Sequence, residues 1–237
     1  MHVEELYNEM SDKLNLENST IAKTHTIIKA ALEYTNERDI VKQNVAEKVK
    51  PPKHESAEMD YWTEEEVSNF LSVARGERLY YAFHLALMTG MNQSRLLGLR
   101  WKDIDLYKKT IHVRQVLNRK KKFTPPKTNN RKRSIALDDH TISFLSFLKS
   151  HHKTILKEKM KYRSQYKEHD LVICTRYGTP INYGNFNRIW ERLRKKAIDE
   201  YGIKHIRFYD LRHTHATILL IQGVNPKIVA ERLAILL

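Results

Sequence analysis

The stretch Tyr209-Asp210-Leu211-Arg212-His213-Thr214-His215-Ala216-Thr217 opens a helix that begins near Asp210 and ends at Gly223. A phenol, a guanidinium and two imidazoles crowd its start. His213 and His215 form an H-x-H pair, which a helix splays onto different faces, so the pair does not read as a shared metal site. Arg212 reads as a phosphate ligand, because binding an anion needs no catalytic partner, with a solvated charge as the alternative. Tyr209 reads as a structural tyrosine or a phosphate-bonding hydroxyl.

Working outward, Asn225 caps a last helix with Pro226 in its first turn. Upstream, Phe186, Ile189, Trp190 and Leu193 mark one helix and Phe144, Leu145 and Leu148 another, with Gly178 and Pro180 at the turn between them. Between Thr110 and Leu137 the period changes to two: Ile111 and Val113 alternate with His112 and Arg114, and Ile135 and Leu137 resume the pattern after a basic, proline-containing stretch. That predicts a small antiparallel sheet. Thr63 and Glu66 form a capping box before Val67, Phe70 and Leu71, and a helix from near Arg78 to Thr89 ends at Gly90. Pro51 and Pro52 with the polar residues up to Asp60 read as a linker. Before it, Ser19 caps a helix along which Ile21, Thr24, Ile28, Ala31 and Leu32 recur. The fold class is therefore mainly α with a small antiparallel sheet, divided into a partial helical domain over 1–50, a linker over 51–60 and a larger domain over 61–237. Trp62, Trp101 and Trp190 lie on apolar stripes and read as core.

Lys and Arg total 42 against 28 Asp and Glu, a net charge of +14, which points to a polyanionic partner, nucleic acid first. No apolar run reaches the roughly 20 residues of a membrane span, and Met1 is followed by His2, Val3, Glu4 and Glu5, not by a basic and then apolar leader. A cytoplasmic protein is expected. Cys174 is the single cysteine, which excludes an intrachain disulfide and a cysteine metal site, and it reads as a small core residue. No cofactor or metal is expected.

Four stretches in order, Thr89-Gly90-Met91 through Leu99-Arg100-Trp101-Lys102-Asp103-Ile104-Asp105, Pro126-Lys127-Thr128 through Leu137, Tyr209 through Thr217, and Gly223-Val224-Asn225-Pro226 through Leu233, resemble the catalytic domain of the tyrosine recombinases, the phage-integrase family. The helix around Ser19 to Tyr34 resembles the later part of the family's helical core-binding domain. The resemblance implies a fold that clamps duplex DNA, and a chemistry in which a tyrosine hydroxyl attacks a phosphodiester. Two arginines then steady the phosphate oxygens, a lysine protonates the leaving oxygen and histidines assist proton transfer.

Laid onto this sequence, the first arginine falls at Asn92, a neutral amide, and the acidic residue usual three positions later falls at Arg95. Lys127 keeps the lysine and Arg212 the second arginine. Tyr209 stands where the resemblance implies a histidine, and Ile235 at the third helper; the nucleophile's helix, implied after Leu233, is expected to be missing. Loss of one such donor costs about 10²- to 10³-fold, and the expectation is a pseudoenzyme. It is expected to bind double-stranded DNA as a repressor or accessory factor of a phage or other mobile element. The alternatives are a truncated or mutated recombinase fragment, or a partner that modulates an active recombinase. Arg95, Arg119, Lys120, Lys121, Lys122, Lys127, Arg131, Lys132, Arg133, Tyr209 and Arg212 are the expected DNA contacts. The run Arg192, Arg194, Lys195 and Lys196 is balanced between a solvated face and phosphate contact. The apolar end Ala234 to Leu237 is expected to support a homo-oligomer or to fold back on its own domain.

Overall fold

A computed structural model describes residues 2–53, 59–126, 134–159 and 166–233, with the backbone alone at 152–159. The chain divides into two compact units, Met1–Glu58 and Met59–Leu237.

In the first unit α1 (Val3–Asp12) and α2 (Asn18–Asn36) pack Tyr7, Met10 and Ile21 into a small core. The N-cap of α2 is Glu17, not Ser19, whose hydroxyl bonds the Glu17 carboxylate instead. Tyr7 Oη and His25 Nδ1 share a hydrogen bond of 2.8 Å across the two helices.

The second unit opens with α3 (Glu64–Ala74), whose capping box is formed: Thr63 Oγ1 accepts from Glu66 N and the Glu66 carboxylate from Thr63 N. Next come α4 (Tyr80–Thr89) and the short α5 (Gln93–Leu96). Strands β1 (Ile104–Asp105) and β2 (Thr110–His112) follow, then β3 (Val116–Leu117) and β4 (Phe123–Thr124), which make a hairpin, and β5 (Ser134–Ala136). Among the described residues β1-β2-β5 form an antiparallel sheet with Ile111 opposite both Ile104 and Ile135, all three buried, as the period of two requires. Helices α6 (Asp139–Lys159), α7 (Tyr183–Tyr201), α8 (Leu211–Ile221) and α9 (Pro226–Leu233) complete the unit.

Its core is aromatic at the centre. Trp62, Phe70, Phe83, Phe186, Trp190 and Phe208 touch one another, with ring centroids 4.9 Å apart for Trp62–Phe70 and 5.4 Å for Trp190–Phe208. Truncating a ring of this kind to alanine costs about 3–5 kcal/mol. The three tryptophans are buried as their stripes imply. Cys174 is half-buried, not a core residue: it stands where the buried residues Leu171, Val172 and Ile173 give way to the turn that bridges to Pro180.

Candidate nucleic-acid interface

Helix α4 ends at Gly90, whose φ of +61° is the left-handed turn that glycine adopts without cost. The chain leaves that turn through buried Met91 to Asn92, and the Asn92 side chain caps α5 by accepting from Arg95 N at 3.2 Å and from Ser94 Oγ at 3.0 Å. Beyond α5, Gly98 lets the β3–β4 hairpin come close: a Cβ there would lie 2.8 Å from Leu117 N. The Tyr183 hydroxyl, at the start of α7, donates to Leu117 O at 2.6 Å and ties the hairpin from the other side; burial pushes its pKa up. The hairpin's tip is held by Asn118, which accepts from Lys122 N through its side chain and bonds the Lys122 carbonyl through its backbone, both at 2.9 Å. Arg119, Lys120, Lys121 and Lys122 are exposed around that tip.

These elements surround a cleft of about 770 Å³. Asn92, Gln93, Ser94 and Arg95 line one side, Asn118, Arg119 and Thr124 another, and Asn187, Arg207, Phe208 and Tyr209 a third. Gln93 donates to Asn187 Oδ1 across it at 2.9 Å. The acidic lining residue Glu191 is paired with Arg194, so the wall is dominated by cations, amides and hydroxyls. Arg95 is buried, 9% exposed, and lines the cleft.

The turn before α8 is built by one pair. Asp210 accepts from Arg207 N at 2.8 Å, Arg207 Nε at 3.0 Å and Arg207 Nη2 at 2.9 Å. Burial pushes the Asp210 carboxyl up, but the Arg207 bonds outweigh it and hold it below the usual carboxylate range. Tyr209, between them, stands 53% exposed in the cleft, its ring 5.6 Å from that of His213. Burial lowers the His213 pKa, as it does that of Arg212. The Arg212 guanidinium lies behind the cleft, where Nη1 donates to Gly90 O at 3.2 Å and Nη2 donates to Leu233 O. His215 points away from His213 into the core, and burial depresses its pKa to about 3. Among the described residues no group of three or more His, Cys, Asp or Glu is placed to hold a metal, and no helix is long and apolar enough to cross a membrane.

The structure thus brings Asn92, Arg95, Arg119 and Tyr209 to one cleft, with Arg212 behind it and Lys120 to Lys122 on the adjoining tip. Lys127, Arg131, Lys132, Arg133 and Ile235 lie outside the described residues, as does the run from Ala234. Of the balanced basic run, Arg194 is buried and donates to Ile206 O at 2.7 Å, Arg192 pairs with Glu77 and Lys196 with Glu200. The sequence reading missed Arg207, Asn187, Tyr183 and Gln93. The i,i+3 spacing of Arg207 and Asp210 was the one available signal.

A sequence profile of the Phage integrase family matches residues 60–234. The chain is 32% identical over 198 residues to a tyrosine recombinase XerC-like protein of Caldanaerobacter subterraneus, covering 77% of this chain and 49% of that protein. It is 26% identical to the ICEBs1 integrase of Bacillus subtilis, over 92% of this chain and 58% of that one, so it spans about half the length of these curated relatives. The Tn1549 transposon integrase, solved in complex with a circular intermediate DNA, superposes with a TM-score of 0.79 at 22% identity, covering 98% of this chain and 76% of that one. A lambda integrase dimer bound to a COC′ core site superposes with a TM-score of 0.62 at 16% identity, covering 98% and 76%. These relatives correct the expectation of a pseudoenzyme: they are named as recombinases and integrases, which are enzymes. The ordered motifs of the second unit, its mainly helical fold with a small antiparallel sheet, and the profile that spans nearly all of it establish that the chain belongs to the phage integrase family.

Proposed function

We propose that the chain grips duplex DNA through the cleft and works in the recombination or integration of DNA that its relatives' names describe. The observation that carries this reading is the convergence of three separated stretches, at Asn92–Arg95, Asn118–Arg119 and Arg207–Tyr209, on one concavity whose acidic lining residue is already paired. Guanidinium, amide and phenol donors directed at a groove suit phosphate oxygens, and the net charge of +14 supplies long-range attraction to a polyanion. Phosphate contacts fix register on the duplex, and the exposed tip from Arg119 to Lys122 is the part best placed to follow a backbone.

Fluorescence anisotropy with labelled duplex DNA over a salt series tests the proposal. Binding should weaken linearly in log affinity against log salt, with a slope near −0.9 per neutralised phosphate. Absence of salt-dependent duplex binding would refute it. A second reading, a DNA-bound regulator of a mobile element, is favoured by Asn92 and Tyr209, an amide and a phenol where the resemblance implies a cation and an imidazole. Capture of bound DNA in cells discriminates the two: promoter sites support regulation, and a single attachment-like site supports recombination.

A further inference from the structure

Arg207 lies between buried Ile206 and the core ring Phe208, and its side chain is 74% exposed. The same two-bond fork onto a carboxylate exists at Arg100–Asp103, where Nε donates at 2.6 Å and Nη2 at 3.1 Å, but there the arginine is 20% exposed and stands outside the cleft lining. At Arg100 both partners are largely withdrawn from solvent. At Arg207 the carboxylate alone is buried, 5% exposed, and the guanidinium projects where the cleft is lined.

We infer that Arg207 is a phosphate-binding residue of the cleft, fixed by Asp210 so that its free guanidinium edge meets a DNA backbone phosphate and provides cationic charge that Asn92 does not. The inference rests on the reading of the cleft as a duplex-binding surface. Of the five N–H donors of a guanidinium, Nε–H and one on Nη2 are used on Asp210, and the rest keep the planar fork geometry that suits phosphate. The pair also removes rotamer freedom in advance, so binding does not have to order a long side chain. Because Asp210 is buried beneath the guanidinium, an anion entering from the cleft meets the cation first and the carboxylate through it. Tyr209 and Arg119, lining the same cleft, offer a hydroxyl and a second cation to the same backbone.

The test is equilibrium anisotropy with a labelled duplex across a salt series, for the wild type, Arg207→Gln, Arg207→Lys and Arg192→Gln, with a thermal melt of each. Arg207→Gln should bind roughly tenfold more weakly at low salt, with a slope shallower by about 0.9. Arg207→Lys should keep the wild-type slope with affinity in between, since charge is retained and the fork is lost. Arg192→Gln, which removes the cation paired with Glu77 away from the cleft, should match the wild type. Wild-type slope and affinity in Arg207→Gln would overturn the inference and leave duplex binding standing. Equal losses in the Gln and Lys variants, tracking equal drops in melting temperature, would overturn it in favour of a purely structural pair. A wild type that does not bind duplex DNA would overturn the reading of the cleft and the inference together.

Discussion

Replacing Arg212 by methionine removes a cation from a position where it already holds two helix ends. Nη1 donates to Gly90 O at 3.2 Å, past the end of α4, and Nη2 donates to Leu233 O at the end of α9. A hydrogen bond from a charged group contributes about 1.5–3 kcal/mol, and loss of the donor leaves a half-buried carbonyl short of a partner. The Gly90 bond is long, so the lower end applies to it, and the pair together should contribute about 3 kcal/mol. In a domain of this size each kcal/mol moves the melting temperature by about 2–4 °C, which sets the expected fall at about 6–12 °C. Differential scanning calorimetry measures it directly, with DNA binding followed well below the lowered transition. A fall smaller than about 2 °C would refute the contribution assigned to the two carbonyl contacts.

Acid should destabilise the fold through two buried imidazoles. His215 is depressed to about 3 by burial and then by Arg232, and His84 to about 4 by burial and then by His140, both below the ordinary value of 6.5. The unfolded chain therefore takes up protons that the folded chain refuses, and stability present above pH 6.5 is lost as pH falls towards 4 and 3. Urea unfolding at pH 5 should show a loss of about 2 kcal/mol from His215 alone relative to pH 7.5, with His84 acting in the same direction, and a flat profile would contradict it. Alanine at Arg119, Lys120, Lys121 and Lys122 together should shallow the salt dependence of DNA binding by up to about 0.9 for each phosphate contact removed, while urea unfolding stays within about 0.5 kcal/mol. Gly90→Ala should destabilise by about 2 kcal/mol or more, because its φ is +61° and the new Cβ would meet Leu233 Cδ2 at 2.5 Å; a wild-type melting curve would refute that.

Much of the architecture was legible because its signals are local. Thr63 and Glu66 cap α3, Gly90 ends α4 and Asn225 bonds Lys227 N at the start of α9, each within a few residues of the boundary it sets. The alternation around Ile111 and Ile135 likewise reports one face of a sheet. The candidate site was legible only in part, since a cleft is made by residues far apart in sequence. Gln93 meets Asn187, and Tyr183 meets Leu117, and neither pairing leaves a trace in periodicity. Arg194 reads as one charge in a basic run, yet its burial follows from the apolar stripe of α7 turning it towards Ile206 O. Arg119 to Lys122 read as a basic run of DNA contacts, and sequence does not reveal that Asn118 closes a tight turn beneath them.

Phe208 has a bearing on how the cleft moves. It carries Arg207 and Tyr209 on either side, while its own ring is wedged against Phe186 and Trp190 at centroid distances of 4.9 and 5.4 Å. The Asp210 amide, bonded to Arg207 O at 2.9 Å, sits in the same turn. Opening that turn would pull an aromatic ring out of the centre of the domain, so it has little access to the low-energy local excursions by which surface loops exchange their amide hydrogens. Its exchange should follow the global unfolding reaction, which makes the wall that presents Arg207 and Tyr209 as slow to breathe as the core behind it.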